Sequence, residues 1–468
     1  MLVTIPQNVF VRRYGEYIYL FNQRNWASAL IRMTDCFDLL FDRRTISIDL
    51  VAEAISNNTG IAENAVKSDI MNIVEPLIWD GYIVSSEKMK KVNSIPKCEE
   101  TVVAQNKMAS GVHKKDASGL NADKNSTTAE QGTDALMDYL MDNPMPFELC
   151  IDLTLKCTAR CVHCYVPGFM DVSLPTETVK RVMREFRAMG GLKVKFTGGE
   201  CMLHKDFVEI LEEARADDLV ISVLSNLTAC GRAEIEAMKE CDVAVVQCSL
   251  YGADAVTHES VTLRKTFDRT MSAIKGLKDA GIPVRIHCPV MKQNVKGFNK
   301  VVALGDRLGI RVSLDASIMS RGDHDSTNQN FCLTDAQLQE FLKKTDEAIC
   351  SVECDDIIDV ESSVCGIGTS KICLAASGEY YPCNGCFGYQ LGDCGASLEK
   401  VWNDEPIRRL RAIRWKDMKT CTICPNRCYC NVCPARNFNA TKNFYKPDPA
   451  ICRIAKVRRF LAKEKSVC

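Results

Sequence analysis

Three cysteines lie within eight residues of one another, at Cys157, Cys161 and Cys164. Thiolates at this spacing can bind three irons of a cubane iron–sulfur cluster and leave the fourth iron open. An open metal position lets a small molecule bind the metal directly, which catalysis requires. A structural zinc site is the alternative, with His163 as its fourth ligand. The preceding β-rich run, 149–155, favours the catalytic interpretation, because loops after barrel strands carry active sites.

Polar groups also end three later candidate strands. Gly198 and Gly199 would let the backbone approach a ligand closely, and the Glu200 carboxylate can accept hydrogen bonds from an ammonium group. Ser225-Asn226 and Ser249 are candidates for contacts with a ribose or an amino acid. Their alternative interpretation is ordinary capping of the helices that follow.

The Cys-x-x-x-Cys-x-x-Cys loop, followed by an aromatic residue and later by Gly-Gly-Glu, resembles the radical S-adenosylmethionine (SAM) superfamily. The resemblance implies that Cys157, Cys161 and Cys164 hold a [4Fe–4S] cluster whose open iron binds SAM. One electron would then cleave SAM to methionine and a 5′-deoxyadenosyl radical. Residues 198–200 would meet the SAM amino group, and Cys201 replaces the usual proline of that motif.

The cysteines are concentrated at the carboxyl end of the chain. Their spacing there resembles the SPASM domain, which holds two auxiliary [4Fe–4S] clusters, so three clusters are expected in total. The implied ligands of the first auxiliary cluster are Cys365, Cys383 and Cys433, and those of the second are Cys421, Cys424, Cys430 and Cys452. A zinc-ribbon structure is the alternative.

Some ligand assignments in this domain stay open. Cys433 lies one residue closer to Cys430 than in the usual pattern, which leaves the roles of Cys428, Cys430 and Cys433 open. Either Cys373 is the fourth ligand of the first auxiliary cluster, or that iron is open to a substrate thiolate. Two further cysteines, Cys386 and Cys394, are expected only to pack as small apolar groups.

The chain divides by composition and periodicity into four parts. We predict a winged-helix-like α+β module over 1–86, a flexible linker over 87–145, a partial (β/α)6 TIM-like barrel over 146–345 and the SPASM domain over 346–468. The α/β fold class rests on six strands that alternate with helical patterns. These strands are predicted at 149–155, 194–197, 220–224, 243–249, 284–289 and 312–315. In the front module, a hairpin at 9–21 precedes helical patterns at 26–41, 48–57 and 63–79.

The whole-chain composition excludes some functions. The formal net charge is −1, which gives no support for binding nucleic acid or an anionic membrane. We find no apolar run long enough to span a membrane and no signal peptide, so a cytoplasmic protein is expected. In a reducing cytoplasm, many of the 26 cysteines are expected to bind metal rather than form disulfides.

The front module resembles the peptide-recognition element of enzymes that mature ribosomally made peptides. The three parts together resemble a radical SAM/SPASM peptide maturase, which implies a leader peptide bound by the front module and an electron donor such as flavodoxin or ferredoxin. We favour a thioether between a cysteine sulfur and a peptide carbon. Carbon–carbon crosslinking, epimerisation and sulfatase maturation are alternatives. A DNA-binding iron–sulfur sensor is a further one, which the acidic helix at 63–79 disfavours.

Overall fold

The computed structural model describes residues 2–32, 45–59, 61–85, 129–166, 168, 170–345 and 358–465. The chain forms two compact units, Met1–Asp142 and Asn143–Cys468. Within the described ranges, no helix combines the length and the apolar character that crossing a membrane requires.

The N-terminal unit contains two antiparallel three-stranded sheets, with strand orders β5-β1-β6 and β2-β3-β4. Its strands are β1 Leu2–Thr4, β2 Val9–Tyr14, β3 Tyr17–Asn22, β4 Ser28–Arg32, β5 Thr45–Ser47 and β6 Val84–Ser85. Its helices are α1 Ile48–Thr59, α2 Glu63–Trp79 and α3 Ala129–Asp142. The predicted hairpin is present as β2 and β3, and the positive φ of Gly15 makes its tight turn.

The helix predicted at 26–41 is wrong over its described part, where Ser28–Arg32 forms β4. This segment pairs with β3 along its whole length, from Phe21 opposite Ser28 to Tyr17 opposite Arg32. Pairing with the preceding strand has overridden the local helical pattern. Residues 33–41 lie outside the described part of the chain.

The flexible linker predicted over 87–145 includes a packed helix, α3. Leu136 and Leu140 are fully buried on this helix, and the Thr133 hydroxyl is 2.7 Å from that of Ser28 on β4. The Tyr139 ring meets the Tyr17 ring edge-on at 5.3 Å. Residues 129–142 therefore belong to the N-terminal unit, while 86–128 lie outside the described residues.

The second unit is built on six parallel strands paired in chain order, which confirms the predicted partial barrel. These are β7 Glu148–Thr154, β8 Lys193–Gly198, β9 Val220–Ser225, β10 Val245–Ser249, β11 Val284–Pro289 and β12 Val312–Asp315. The helices of this region are α4 Thr176–Ala188, α5 Phe207–Ala216, α6 Arg232–Glu240, α7 Ala255–Thr262, α8 Phe267–Asp279, α9 Phe298–Leu308 and α10 Asp335–Thr345. On β7, Leu149, Ile151 and Leu153 join the main core, and the alternate residues point to the other face.

The cysteine-rich region adds three strands to the same sheet: β13 Lys371–Leu374, β14 Glu379–Tyr381 and β15 Gly392–Asp393. Its helices are α11 Leu398–Asn403, α12 Glu405–Arg411, α13 Lys419–Thr422, α14 Pro434–Thr441 and α15 Pro449–Lys465. Strand β13 pairs in parallel with β7, with Cys373 opposite Cys150. The first barrel strand therefore lies between β8 and the hairpin of the cysteine-rich region.

Candidate active site

The loop that carries Cys157, Cys161 and Cys164 starts directly after β7 and is fixed by its backbone. The Val162 amide donates to the Val261 carbonyl at 3.0 Å, at the carboxyl end of α7. Within the loop, the Arg160 guanidinium donates to the Cys157 carbonyl at 2.7 Å. Packing against the barrel and internal bonding together set the direction of the three thiols.

The three thiols lie in a largely buried environment. Burial raises the pKa of the Cys157 and Cys164 thiols, and it raises that of Cys161 to about 12. The side-chain amide of Asn226 donates to Cys157 Sγ at 3.5 Å, and Tyr251 Oη lies 3.9 Å from Cys161 Sγ. This soft, all-sulfur donor set fits iron, whose positive charge favours the thiolate form.

His163, the fourth ligand in the zinc alternative, faces Tyr251. The two rings meet edge-on at 5.1 Å, and burial lowers the pKa of the imidazole to about 4. Four ligands of one zinc ion lie roughly 3.8 Å apart, because each bond is about 2.3 Å long. Among the described residues, no three His, Cys, Asp or Glu side chains are grouped closely enough to hold a single ion. Ligands of a multi-iron cluster can lie further apart than those of zinc, because each cluster ligand binds a different iron.

The two glycines after β8 are required by the cysteine loop itself. A Cβ on Gly199 would lie 2.3 Å from the Lys156 carbonyl oxygen, and one on Gly198 would lie 2.4 Å from that of Thr154. The Gly199 amide donates to the same Thr154 carbonyl at 2.7 Å. The Gly-Gly segment thus lies directly against the start of the cysteine loop.

Glu200 is hydrogen-bonded within the chain at the ends of β8 and β9. Its fully buried carboxylate accepts hydrogen bonds from the Ser225 hydroxyl at 2.7 Å, the Asn226 amide at 2.8 Å and the Met202 amide at 3.2 Å. We predicted that this carboxylate would accept from an ammonium group of a ligand. In the structure its hydrogen bonds are made to the chain, and they join the ends of β8 and β9.

The other predicted strand-end groups converge on the cysteine loop. Asn226 contacts Cys157 through its side-chain amide, and it accepts from the Thr228 amide at 2.9 Å. Ser249 is half-buried at the end of β10, where it hydrogen-bonds the hydroxyl of Tyr251. Helix α6 begins only at Arg232, so Asn226 does not cap it.

A second group of cysteines lines a cavity of about 230 Å³. Burial and the neighbouring thiols raise the pKa of Cys421 to about 11 and that of Cys430 to about 12. The charges of Cys424 and Cys452 contribute to both of these raised pKa values, so the four thiols lie close together. They are the residues that the SPASM resemblance assigns to the second auxiliary cluster, and Cys433 lines the same cavity.

The predicted ligands of the first auxiliary cluster also lie near one another. Desolvation of the thiol raises the pKa of Cys365 and of Cys383 to about 12, although the Cys365 residue as a whole is exposed. The charge of Cys433 is the next largest cause of both raised pKa values. Cys428 is disulfide-bonded in the structure. Cys373, the suggested fourth ligand, lies opposite Cys150 and hydrogen-bonds it.

Comparison with known proteins identifies this architecture. The sequence matches the radical SAM superfamily over residues 151–304 and the SPASM iron–sulfur cluster-binding domain over residues 365–428. The chain is a radical SAM enzyme. It carries a SPASM domain, and its cofactors are SAM and [4Fe–4S] clusters, auxiliary clusters included.

Relatives of this radical SAM enzyme share most of its length. The subtilosin biosynthesis protein AlbA of Bacillus subtilis is 26% identical, over 67% of this chain and 72% of the relative. The AdoMet-dependent heme synthase of Nitratidesulfovibrio vulgaris is 24% identical, over 64% and 90%. The crystal structure of Streptococcus suis SuiB bound to precursor peptide SuiA aligns with a TM-score of 0.61 at 17% identity, over 96% of this chain and 99% of SuiB.

One buried acid of this radical SAM enzyme was missed in the sequence. Asp152 on β7 accepts a hydrogen bond from the Tyr381 hydroxyl at 2.6 Å, and burial raises its pKa to about 6. Nearby, Tyr165 of the cysteine loop stacks on Phe387 of the SPASM domain at 4.5 Å. An acidic residue inside the apolar run 149–155 was the available signal.

We expect Gly199→Ala to displace the cysteine loop, because its Cβ would overlap the Lys156 carbonyl. Deoxyadenosine formation should fall about 10- to 100-fold, with loss of bound iron. Chromatography of anaerobic reactions and an iron assay measure both. Gly297→Ala is the control, because its Cβ would meet nothing closer than 3.7 Å. Unchanged iron content and activity in Gly199→Ala would contradict this account of the loop.

The hydrogen bond from Tyr381 lowers the pKa of Asp152, against the effect of burial. Tyr381→Phe should therefore raise the midpoint at which this carboxyl ionises, by about one to two pH units. Infrared difference spectra against Asp152→Asn would follow the protonated carboxyl band across pH. Tyr380→Phe is the matched control, because the Tyr380 hydroxyl is buried and has no hydrogen-bond partner among the described residues. An equal midpoint in Tyr381→Phe and the unchanged enzyme would disprove this coupling.

Proposed function

We propose that this radical SAM enzyme modifies a ribosomally made precursor peptide and forms a thioether between a cysteine sulfur and a peptide carbon. The observation that carries the proposal is the pairing of β13 with β7, which holds the SPASM hairpin beside the strand that leads into the cysteine loop. This pairing supports a reaction in which radical initiation and electron removal occur in the same unit. The alignment with SuiB over nearly the whole chain supports a peptide substrate.

The overall reaction sets what the chain must provide. Joining a C–H carbon to an S–H sulfur removes one hydrogen atom, one proton and one electron from the peptide. The cluster with bound SAM supplies the 5′-deoxyadenosyl radical that takes the hydrogen atom. We assign the electron acceptor to the SPASM cysteine groups, which makes three [4Fe–4S] clusters in total, and the proton acceptor to Asp152.

We assign the binding roles of the barrel residues as follows. Cys157, Cys161 and Cys164 hold the SAM-binding cluster, and Asn226 tunes it through its hydrogen bond to Cys157 Sγ. The backbone of 198–199 and the side chain of Ser249 contact SAM. Glu200 and Ser225 position this site, because their mutual hydrogen bond holds the strand ends together.

The N-terminal unit is proposed to bind the leader peptide at the edge of its β2-β3-β4 sheet. An extended peptide can add a strand to such an edge through main-chain hydrogen bonds. A DNA-binding role is disfavoured by the charges on α2. Its Lys67 is already paired with Asp49 at 3.0 Å and Glu63 at 2.8 Å, so it offers little free positive charge to phosphates.

A small-molecule oxidation is the second candidate, because the chain aligns with 90% of a heme synthase. The N-terminal unit argues for a peptide, since a small substrate has no use for a strand-adding sheet. Carbon–carbon crosslinking, epimerisation and sulfatase maturation are the alternatives to thioether formation. They start with the same 5′-deoxyadenosyl radical and differ in the product that the enzyme releases.

The reconstituted enzyme, incubated anaerobically with SAM, a reduced flavodoxin and the peptide encoded beside its gene, should remove two hydrogens per crosslink. Mass spectrometry measures this loss, and fragmentation locates a bond at a cysteine. Alanine at positions 157, 161 and 164 should abolish deoxyadenosine formation. An unchanged peptide mass alongside active SAM cleavage would exclude crosslinking, and a mass loss without a bonded cysteine would exclude the thioether.

Leader binding should depend on the outward main chain of β2. Tyr14 and Tyr17 close the two-residue hairpin turn, so Val11 faces away from β3 in the alternating hydrogen-bond pattern. Val11→Pro removes an edge donor and should weaken leader binding about tenfold or more. Fluorescence anisotropy with labelled leader peptide measures this. Val11→Ala keeps the amide and should bind normally. Equal affinity of the two variants would argue against strand addition at β2.

A further inference from the structure

The turn Cys383–Cys386 has the same backbone geometry as two other turns that carry predicted ligands. The Cys386 amide donates to the Cys383 carbonyl at 2.9 Å. Cys164 bonds Cys161 in the same way at 3.1 Å, and Cys424 bonds Cys421 at 3.1 Å. In each case two thiols three residues apart flank one tight turn. The other two turns each offer both thiols to one cluster.

The Cys386 side chain lies beside the three cysteines assigned to the first auxiliary cluster. It is fully buried, and after burial the charges of Cys383, Cys433 and Cys365 are the causes that raise its thiol pKa. The charges of all three cysteines can raise the pKa of the Cys386 thiol only when that thiol lies close to all three. Packing as a small apolar group explains the burial of Cys386 but not this position among thiols.

The turn is held in place from the helix that follows Cys433. Helix α14 carries Asn439, which is fully buried and whose side-chain amide donates to the Gly385 carbonyl at 2.7 Å. This bond fixes the middle of the 383–386 turn relative to Cys433. Three chain segments, around 365, 383–386 and 433, therefore bring four thiols together.

The rival fourth ligand has a different environment. Cys373 hydrogen-bonds Cys150 across the β13–β7 pair. Of the three cysteines assigned to the first auxiliary cluster, only Cys383 is among the main causes of the raised pKa of the Cys373 thiol. Tyr381 lies opposite Cys373 on β14, and Asp152 lies two residues after Cys150 on β7. Cys373 thus belongs to the boundary between the barrel and the hairpin.

We propose that Cys386 is the fourth protein ligand of the first auxiliary cluster, which is therefore closed to the substrate. Binding to iron converts this thiol to a thiolate, and its proton is released to water. The inference rests on the proposed ligand roles of Cys365, Cys383 and Cys433, and not on which bond the enzyme forms in its peptide. A closed cluster can still accept an electron but cannot bind a substrate thiolate.

The test uses the full chain with alanine at positions 157, 161 and 164, because the SAM-binding cluster would itself bind added thiolate. Electron paramagnetic resonance of the reduced auxiliary clusters is recorded during titration with 2-mercaptoethanol. We expect no spectral change. Adding Cys386→Ala should create a saturable change, and mild oxidation should then release one iron and leave a [3Fe–4S] signal. Cys394→Ala and Cys373→Ala, each on the same background, should behave like the parent.

Each other outcome overturns the assignment. A parent that responds to thiolate has an open iron already. A response in Cys373→Ala makes Cys373 the ligand, and a Cys386→Ala chain with full iron and no response shows that Cys386 is not one. If Cys386→Ala fails to fold, the parent titration still shows whether the cluster has an open iron, and the Cys373→Ala titration still shows whether Cys373 is the fourth ligand. Iron for a single cluster in the parent would instead contradict the proposed pair of auxiliary clusters, whatever Cys386 does.

Discussion

The parallel pairing of β13 with β7 is the constraint on which the rest of the second unit depends. It runs from Lys371 opposite Glu148 to Leu374 opposite Ile151, and it makes the SPASM hairpin an extension of the barrel sheet. Because β7 leads into the cysteine loop and β14 leads to Cys383, a single register fixes both cysteine sites. The Tyr381–Asp152 hydrogen bond and the Tyr165–Phe387 stack follow from that register.

The grouped cysteines also link folding of the cysteine-rich region to metal binding. Their thiols lie beside one another, so each opposes the ionisation of its neighbours and adds to the effect of desolvation on the pKa of Cys383 and Cys430. Iron binding would supply the positive charge that makes four adjacent thiolates stable. The cysteine-rich region has only short helices and strands before α15, so metal loading and folding are expected to be coupled there.

Local patterns in the sequence were enough to predict the barrel strands and the cysteine loop, because each depends on residues close together in the chain. The failures depend on pairing and packing between elements, which a local pattern does not show. Ser28–Arg32 is a strand because β3 pairs with it, and 129–142 is an ordered helix because the β2-β3-β4 sheet buries Leu136. The hydrogen bonds of Glu200 to the end of β9 also could not be predicted, because motif spacing alone does not show which chain groups a buried carboxylate contacts. The predicted contact of Glu200 with an ammonium group stays a prediction.

A closed first auxiliary cluster changes what the barrel must do to a substrate thiol. If no iron is open to that sulfur, the metal does not lower its pKa, and a protein base must take the proton. Asp152 is suited to this because burial brings its pKa to about 6, so it is ionised at neutral pH yet still a better base than an exposed carboxylate. Its hydrogen bond from Tyr381, two residues before Cys383, holds that base next to the proposed electron acceptor. Proton and electron would then leave the peptide at one place, where the barrel meets the hairpin.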